Sequence, residues 1–154
     1  MSDPYKRWRN EPTYLLDEGF DGKDAYEALA ASGFALERHR VHFPAKDRHR
    51  EEGVKDPRII KLCNKWGWLL ITTDHNIYNV HRKEIAESPN VGILATAHNS
   101  PEDIMEWVEG LILLKPRIDR NSFRKTKRPW FLQFNRQGKI TVGPKPITWS
   151  SVRK

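Results

Sequence analysis

Between Gly67 and Thr72 the chain reads Trp68-Leu69-Leu70-Ile71, four apolar residues with no polar interruption. A strand with one wet face alternates apolar and polar residues. An unbroken run bounded by a glycine and by Thr72-Thr73-Asp74 fits instead a strand covered on both faces. Such a strand belongs in the middle of a parallel sheet with helices on either side, and it commits the chain to the α/β class. Asp74 then stands at the strand's carboxyl end, where open α/β sheets bind ligands in the crevice between strand ends and loops. The same position suits an Asp that caps the next helix.

The remaining pattern supplies companions for that strand. Thr13-Tyr14-Leu15-Leu16 reads as a first strand and is also followed by acids, Asp17-Glu18, before Gly19. Ala25, Tyr26, Ala28 and Leu29 mark the inner side of a helix over 23–32 that Gly33 stops. A second strand begins near Phe34, and the charged stretch from Arg38 to Gly53, broken by Pro44, reads as a strand end and loop. Asp56-Pro57 opens a helix, with Ile59, Ile60, Cys63 and Trp66 as its buried stripe. A helix over 77–87 buries Ile77, Val80, His81 and Ile85, and Val91–Ala95 forms the next strand. Ser100-Pro101-Glu102-Asp103 starts a helix with Ile104, Met105, Val108, Leu111 and Ile112 on its inner face, closed by Lys115-Pro116. Trp130–Phe134 and Lys139–Val142 then flank Asn-Arg-Gln-Gly as a β-hairpin, with a poorly ordered end after Pro144 and Pro146. The expected fold is a three-layer α/β/α domain over 1–114 with a central, mainly parallel sheet. A basic C-terminal β-hairpin and tail follow over 115–154.

Charge separates these two parts. Residues 115–154 hold 12 Lys or Arg and a single acid, Asp119, for a net +11, whereas the rest of the chain carries −4. Such asymmetry suits a polyanionic partner, because bases that neutralise phosphates gain affinity through counterion release; a solvated surface is the plainer reading. Arg124, Lys125, Lys127 and Arg128 are the candidate contacts in this segment, joined by Lys46, Arg48 and Arg50 in the charged loop. No apolar stretch approaches the roughly 20 residues of a membrane span. The polar start, MSDPYKRWRN, lacks a signal-peptide core, so a cytoplasmic location without a membrane partner is expected. The lone Cys63 fits a core position and cannot form an internal disulfide. His39, His42 and His49 lack zinc-type spacing, and the chain has neither a glycine-rich phosphate loop nor a serine elbow.

Right-handed β-α-β crossovers keep parallel strands pointing one way, so Asp17 and Asp74 belong at one edge of the sheet. Asp56, opening the helix before the strand that ends at Asp74, belongs there too. Carboxylates gathered in this way repel one another unless a cation neutralises them. Mg²⁺ or Mn²⁺ is the hard ion that such oxygen ligands suit, and it activates water for phosphodiester cleavage. Glu18 is a further candidate ligand, and Thr73 a candidate to orient a carboxylate or a water. Helix capping by Asp56, a solvent-exposed Glu18 and a phosphoacceptor domain resembling response-regulator receivers are the competing readings.

YLLDEGF over 14–20, DPRIIKLCNKWGWLLITTDHNI over 56–77, the VGIL strand and the SPEDIMEWVEGLI helix together resemble the PIN-domain ribonucleases. The resemblance is especially to the compact PIN-like branch found among toxins of bacterial toxin–antitoxin pairs, and it spans roughly Thr13 to Leu114. It implies a PIN-like fold and Mg²⁺- or Mn²⁺-dependent endoribonuclease activity. Asp17, Asp56 and Asp74 would be the metal-binding, catalytic acids, RNA the substrate, and an antitoxin and a second copy of the chain the partners. Two features depart from the family. Its additional helix acid has no assigned counterpart, since Asp47, Glu51 and Glu52 lie in the charged loop, and Asn76 replaces the second Asp that often follows the Thr. A non-catalytic nucleic-acid-binding or regulatory module with the same fold is the alternative.

Overall fold

The computed structural model describes residues 12–42, 56–74, 76–98, 104–119 and 127–146. In chain order the strands are β1 (Thr13–Leu16), β2 (Ala35–Arg38), β3 (Leu69–Thr72), β4 (Gly92–Thr96), β5 (Trp130–Phe134) and β6 (Ile140–Pro146). The helices are α1 (Lys23–Ala31), α2 (His39–His42), α3 (Asp56–Trp66), α4 (Ile77–Val80), α5 (Arg82–Ala86) and α6 (Ile104–Asp119), with a 3₁₀ turn over Glu18–Phe20. One sheet takes the order β2-β1-β3-β4-β5-β6. The first five strands are parallel and β6 is antiparallel to β5.

The two-residue period of the strands sorts their side chains into two layers. Tyr14 and Leu16, Leu69 and Ile71, Leu94, and Trp130, Leu132 and Phe134 join one core with Ala25 and Leu29 of α1 and Trp107, Val108, Leu111 and Leu114 of α6. Leu15, Leu70, Ile93, Ala95 and Phe131 face the other way, onto Ile59, Ile60 and Cys63 of α3, Ile77 of α4 and Ile85 of α5. Helices therefore cover both faces. All four residues of β3 are buried, as its unbroken apolar run requires. Cys63 is a core residue with no exposed surface, and burial pushes its thiol up to about 12.

Several elements differ from the sequence expectation. The helix expected over 77–87 is broken at His81 into α4 and α5, which leaves Val80 66% exposed while Ile77 and Ile85 stay buried. Met105 also faces outward, being 41% exposed. Helix α6 does not stop at Lys115-Pro116 but continues to Asp119 with Pro116 inside it. A proline in a helix costs about 3 kcal/mol, and the extra turn offsets this by burying Ile118, which continues the stripe of Leu111 and Leu114. Strands β5 and β6 complete the same sheet as β1–β4, and β6 runs through Pro144 to Pro146 rather than fading out. Among the described residues no helix is long and apolar enough to cross a membrane.

Candidate functional site

Strands β1 and β3 are parallel neighbours, with Leu16 opposite Ile71, so the chain after each emerges at the same edge. Asp17 continues the pairing, its N–H donating to the Ile71 carbonyl at 3.0 Å. Its carboxylate is held from two sides. Oδ1 accepts from the Phe20 N–H at 3.2 Å, capping the 3₁₀ turn. Oδ2 accepts from the Thr72 hydroxyl at 2.5 Å and from the Thr73 N–H at 3.0 Å. Burial pushes the Asp17 carboxyl up to about 6, against the pull of the donors from Thr72, Thr73, Phe20 and Gly19. The close approach depends on Gly19, where a β-carbon would lie 2.5 Å from the Thr73 hydroxyl oxygen.

Asp74 joins the same constellation through Thr72, whose hydroxyl oxygen accepts the Asp74 N–H at 3.0 Å. Its Oδ1 accepts the Asn76 N–H at 3.0 Å, a local Asx turn, and Asn76 rather than Asp74 is the N-cap of α4. The expected role of Thr73 is thus divided. Its backbone N–H orients Asp17, while the hydroxyl bond comes from the buried Thr72. Thr96 at the end of β4 extends the edge, donating to the Thr73 carbonyl at 3.2 Å. Asp56 opens α3, which leads through Gly67 into β3, so its backbone lies toward this edge; its side chain lies outside the described residues. Glu18 is on the exposed side of the 3₁₀ turn.

A further acid at this edge went unread in the sequence. Asp21, only 4% exposed, accepts from Arg38 Nε at 2.7 Å, and Arg38 Nη2 donates to the Asp21 carbonyl at 3.0 Å. The Arg38 guanidinium also lies 4.2 Å from the Tyr26 ring centre. This pair ties the end of β2 to the loop beside Asp17. The only signal for it was an acid four residues after Asp17 in an otherwise ordinary helix approach.

The basic candidates divide. Lys46, Arg48, Arg50, Arg124 and Lys125 lie outside the described residues, as do Asp47, Glu51 and Glu52. Lys127 and Arg128 precede β5 and therefore sit at the opposite edge from the acids. Arg128 is a structural clamp there: its Nη1 donates to the carbonyls of Gly67 at 2.8 Å and Asn90 at 2.9 Å, joining the approaches to β3 and β4. Burial lowers its pKa, with Tyr14 opposing. Arg128→Met is expected to lower stability by about 2 kcal/mol, since charge-assisted bonds to two carbonyls are lost. A fall in the urea midpoint at unchanged slope checks this.

An ionised carboxylate offers about four lone-pair positions, and donors from Thr72, Thr73, Phe20 and Gly19 all draw on those of Asp17. A cation there would share the Asp17 oxygens with those donors, whereas the described bond to the Asp74 carboxylate comes from the Asn76 N–H alone. A partly buried carboxylate with a second acid on the adjoining strand end suits a hard divalent ion. Among the described residues no three His, Cys, Asp or Glu side chains form a metal-holding group, so any third protein ligand must come from elsewhere, as the side chain of Asp56 would provide. No protein-family model, curated protein or solved structure matches this chain.

Proposed function

We propose that the protein is a Mg²⁺- or Mn²⁺-dependent endoribonuclease of PIN-like fold, with Asp17 and Asp74 as its strand-end acids and Asp56 completing the set. The observation that carries this reading is the Asp17 carboxylate, partly buried and fixed by Thr72 and Thr73 at the edge it shares with Asp74. A bound divalent ion supplies an activated water and stabilises the leaving oxygen in phosphodiester hydrolysis. The chain's own contribution is positional. Thr72 locks the Asp17 rotamer and, by accepting from the Asp74 N–H, sets the spacing of the two acids. Glu18 flanks them on the solvent side, and Thr73 holds Asp17 from its backbone. The resemblance to PIN-like toxins extends the proposal to a toxin–antitoxin pair, with an acidic antitoxin on the basic C-terminal segment and a homodimer as the working form.

The test is calorimetric titration of Mn²⁺ into the native protein and into an Asp17→Asn, Asp74→Asn double variant, at low salt and neutral pH. Metal-dependent cleavage of RNA is followed in parallel. Binding and cleavage that both vanish in a folded variant are expected. Equal binding in both proteins would remove the acids from the site. The protein donors already on Asp17 favour one competing reading, a non-catalytic RNA-binding module. It predicts salt-sensitive RNA binding with no cleavage in any divalent metal.

A further inference from the structure

Helix α3 has an outer face that its role in the core leaves unexplained. Ile59, Ile60 and Cys63 are buried under the sheet, whereas Arg58, Lys61 and Lys65 recur on the other side with Leu62 between them. These four residues and His42 of α2 line an open cavity of about 360 Å³ with no acidic residue among the described lining. Next to Lys65 in the chain is Trp66, on the apolar stripe by its spacing but 57% exposed. The Trp66 ring stacks on Trp68 at 5.9 Å with 19° between planes, Lys65 Nζ lies 5.2 Å from its centre, and the His42 ring is 5.2 Å from Trp68. An indole stacked on a second indole, more than half exposed and with the flexible Lys65 side chain over its ring, costs exposed apolar area and offers a platform beside a row of cations.

We infer that this surface binds single-stranded RNA, with a base stacked on Trp66 and the sugar-phosphate backbone following Lys65, Lys61 and Arg58. Stacking on an aromatic needs an unpaired base, which selects single strands over duplex, and cations along the helix neutralise successive phosphates. Arg58 and Lys65 are about 10 Å apart along the axis at 1.5 Å per residue. The row leads from Trp66, at the edge where β3 begins, toward the opposite edge, where Asp17 and Asp74 lie. A strand anchored there is directed at the candidate site, so the inference rests on the ribonuclease reading and adds its substrate-holding surface.

Binding of a fluorescein-labelled single-stranded oligouridine is followed by anisotropy in EDTA, so that cleavage plays no part. Trp66→Ala is expected to weaken binding at least about fivefold, and Trp66→Phe to retain most of it. Lys61→Gln with Lys65→Gln is expected to reduce the slope of log affinity against log salt by about 1.4. Unchanged affinity in a folded Trp66→Ala protein overturns the inference. So does equal binding of duplex RNA, or a Trp66 dependence found only with anionic phospholipid vesicles. Trp66-dependent binding without cleavage in any metal leaves the surface standing and removes the ribonuclease. Cleavage with binding indifferent to Trp66 does the reverse.

Discussion

A chain shortened to residues 1–114 is expected to lose cooperative folding altogether. The cut falls inside α6 and removes β5, whose Trp130, Phe131, Leu132 and Phe134 are all buried. At about 1.5–3 kcal/mol for each large apolar side chain, their loss removes roughly 6–12 kcal/mol. A whole domain is stable by only about 5–15 kcal/mol. The shortened chain would also leave β4, five buried residues long, as an unpaired edge, an aggregation hazard. Circular dichroism through a urea titration checks this: the full chain gives one sigmoidal transition and the shortened chain none. Trp130→Ala is the milder form of the same test, with an expected loss of about 3–5 kcal/mol. A native-like transition in the shortened chain would mean that the segment after Leu114 is an appendage, in line with its charge.

What was legible in the sequence was what local pattern determines. The unbroken run of β3, the strand Thr13–Leu16 and the apolar core of β5 each carry their burial in a few consecutive residues. Topology followed from connection length and handedness, which is why Asp17 and Asp74 could be assigned to one edge although 57 positions apart in number. Register was not legible. The bond from Thr72 to Asp17 depends on β1 and β3 pairing Leu16 with Ile71, and no local signal separates Thr72 from Thr73. The clamp made by Arg128 was not legible because charge composition says nothing about direction, and its guanidinium donates to the carbonyls of Gly67 and Asn90. Trp66 failed for a third reason. Helical spacing places it on the apolar stripe, but it is the last residue of α3, where the helix ends and the covering layer with it. Asp56, Lys46, Arg48 and Arg50 are the part of the proposed site that sequence alone supports.

Asp17→Asn is expected to lower metal-dependent RNA cleavage on the order of 100-fold or more, since even residues that only support a metal ligand are worth 10–100-fold. It is also expected to change how stability varies with pH, which separates a fixed structural cap from an ionising ligand. In the folded protein the Asp17 carboxyl is raised from 3.8 to about 6, chiefly by burial. The folded state therefore holds a proton that the unfolded state has released over this interval. Stability falls as pH rises, by at most on the order of 3 kcal/mol for a shift of this size. The contribution is fully present below pH about 3.8 and gone above about 6. Denaturation of the metal-free protein at steps across that window should show the decline, and Asp17→Asn, which cannot ionise, should flatten it. Mn²⁺ should restore stability to the native protein above pH 6 by binding the folded state alone, and do nothing for the variant. A native protein whose stability rises through the window would place the Asp17 charge among donors strong enough to satisfy it, and make it a cap for the 3₁₀ turn.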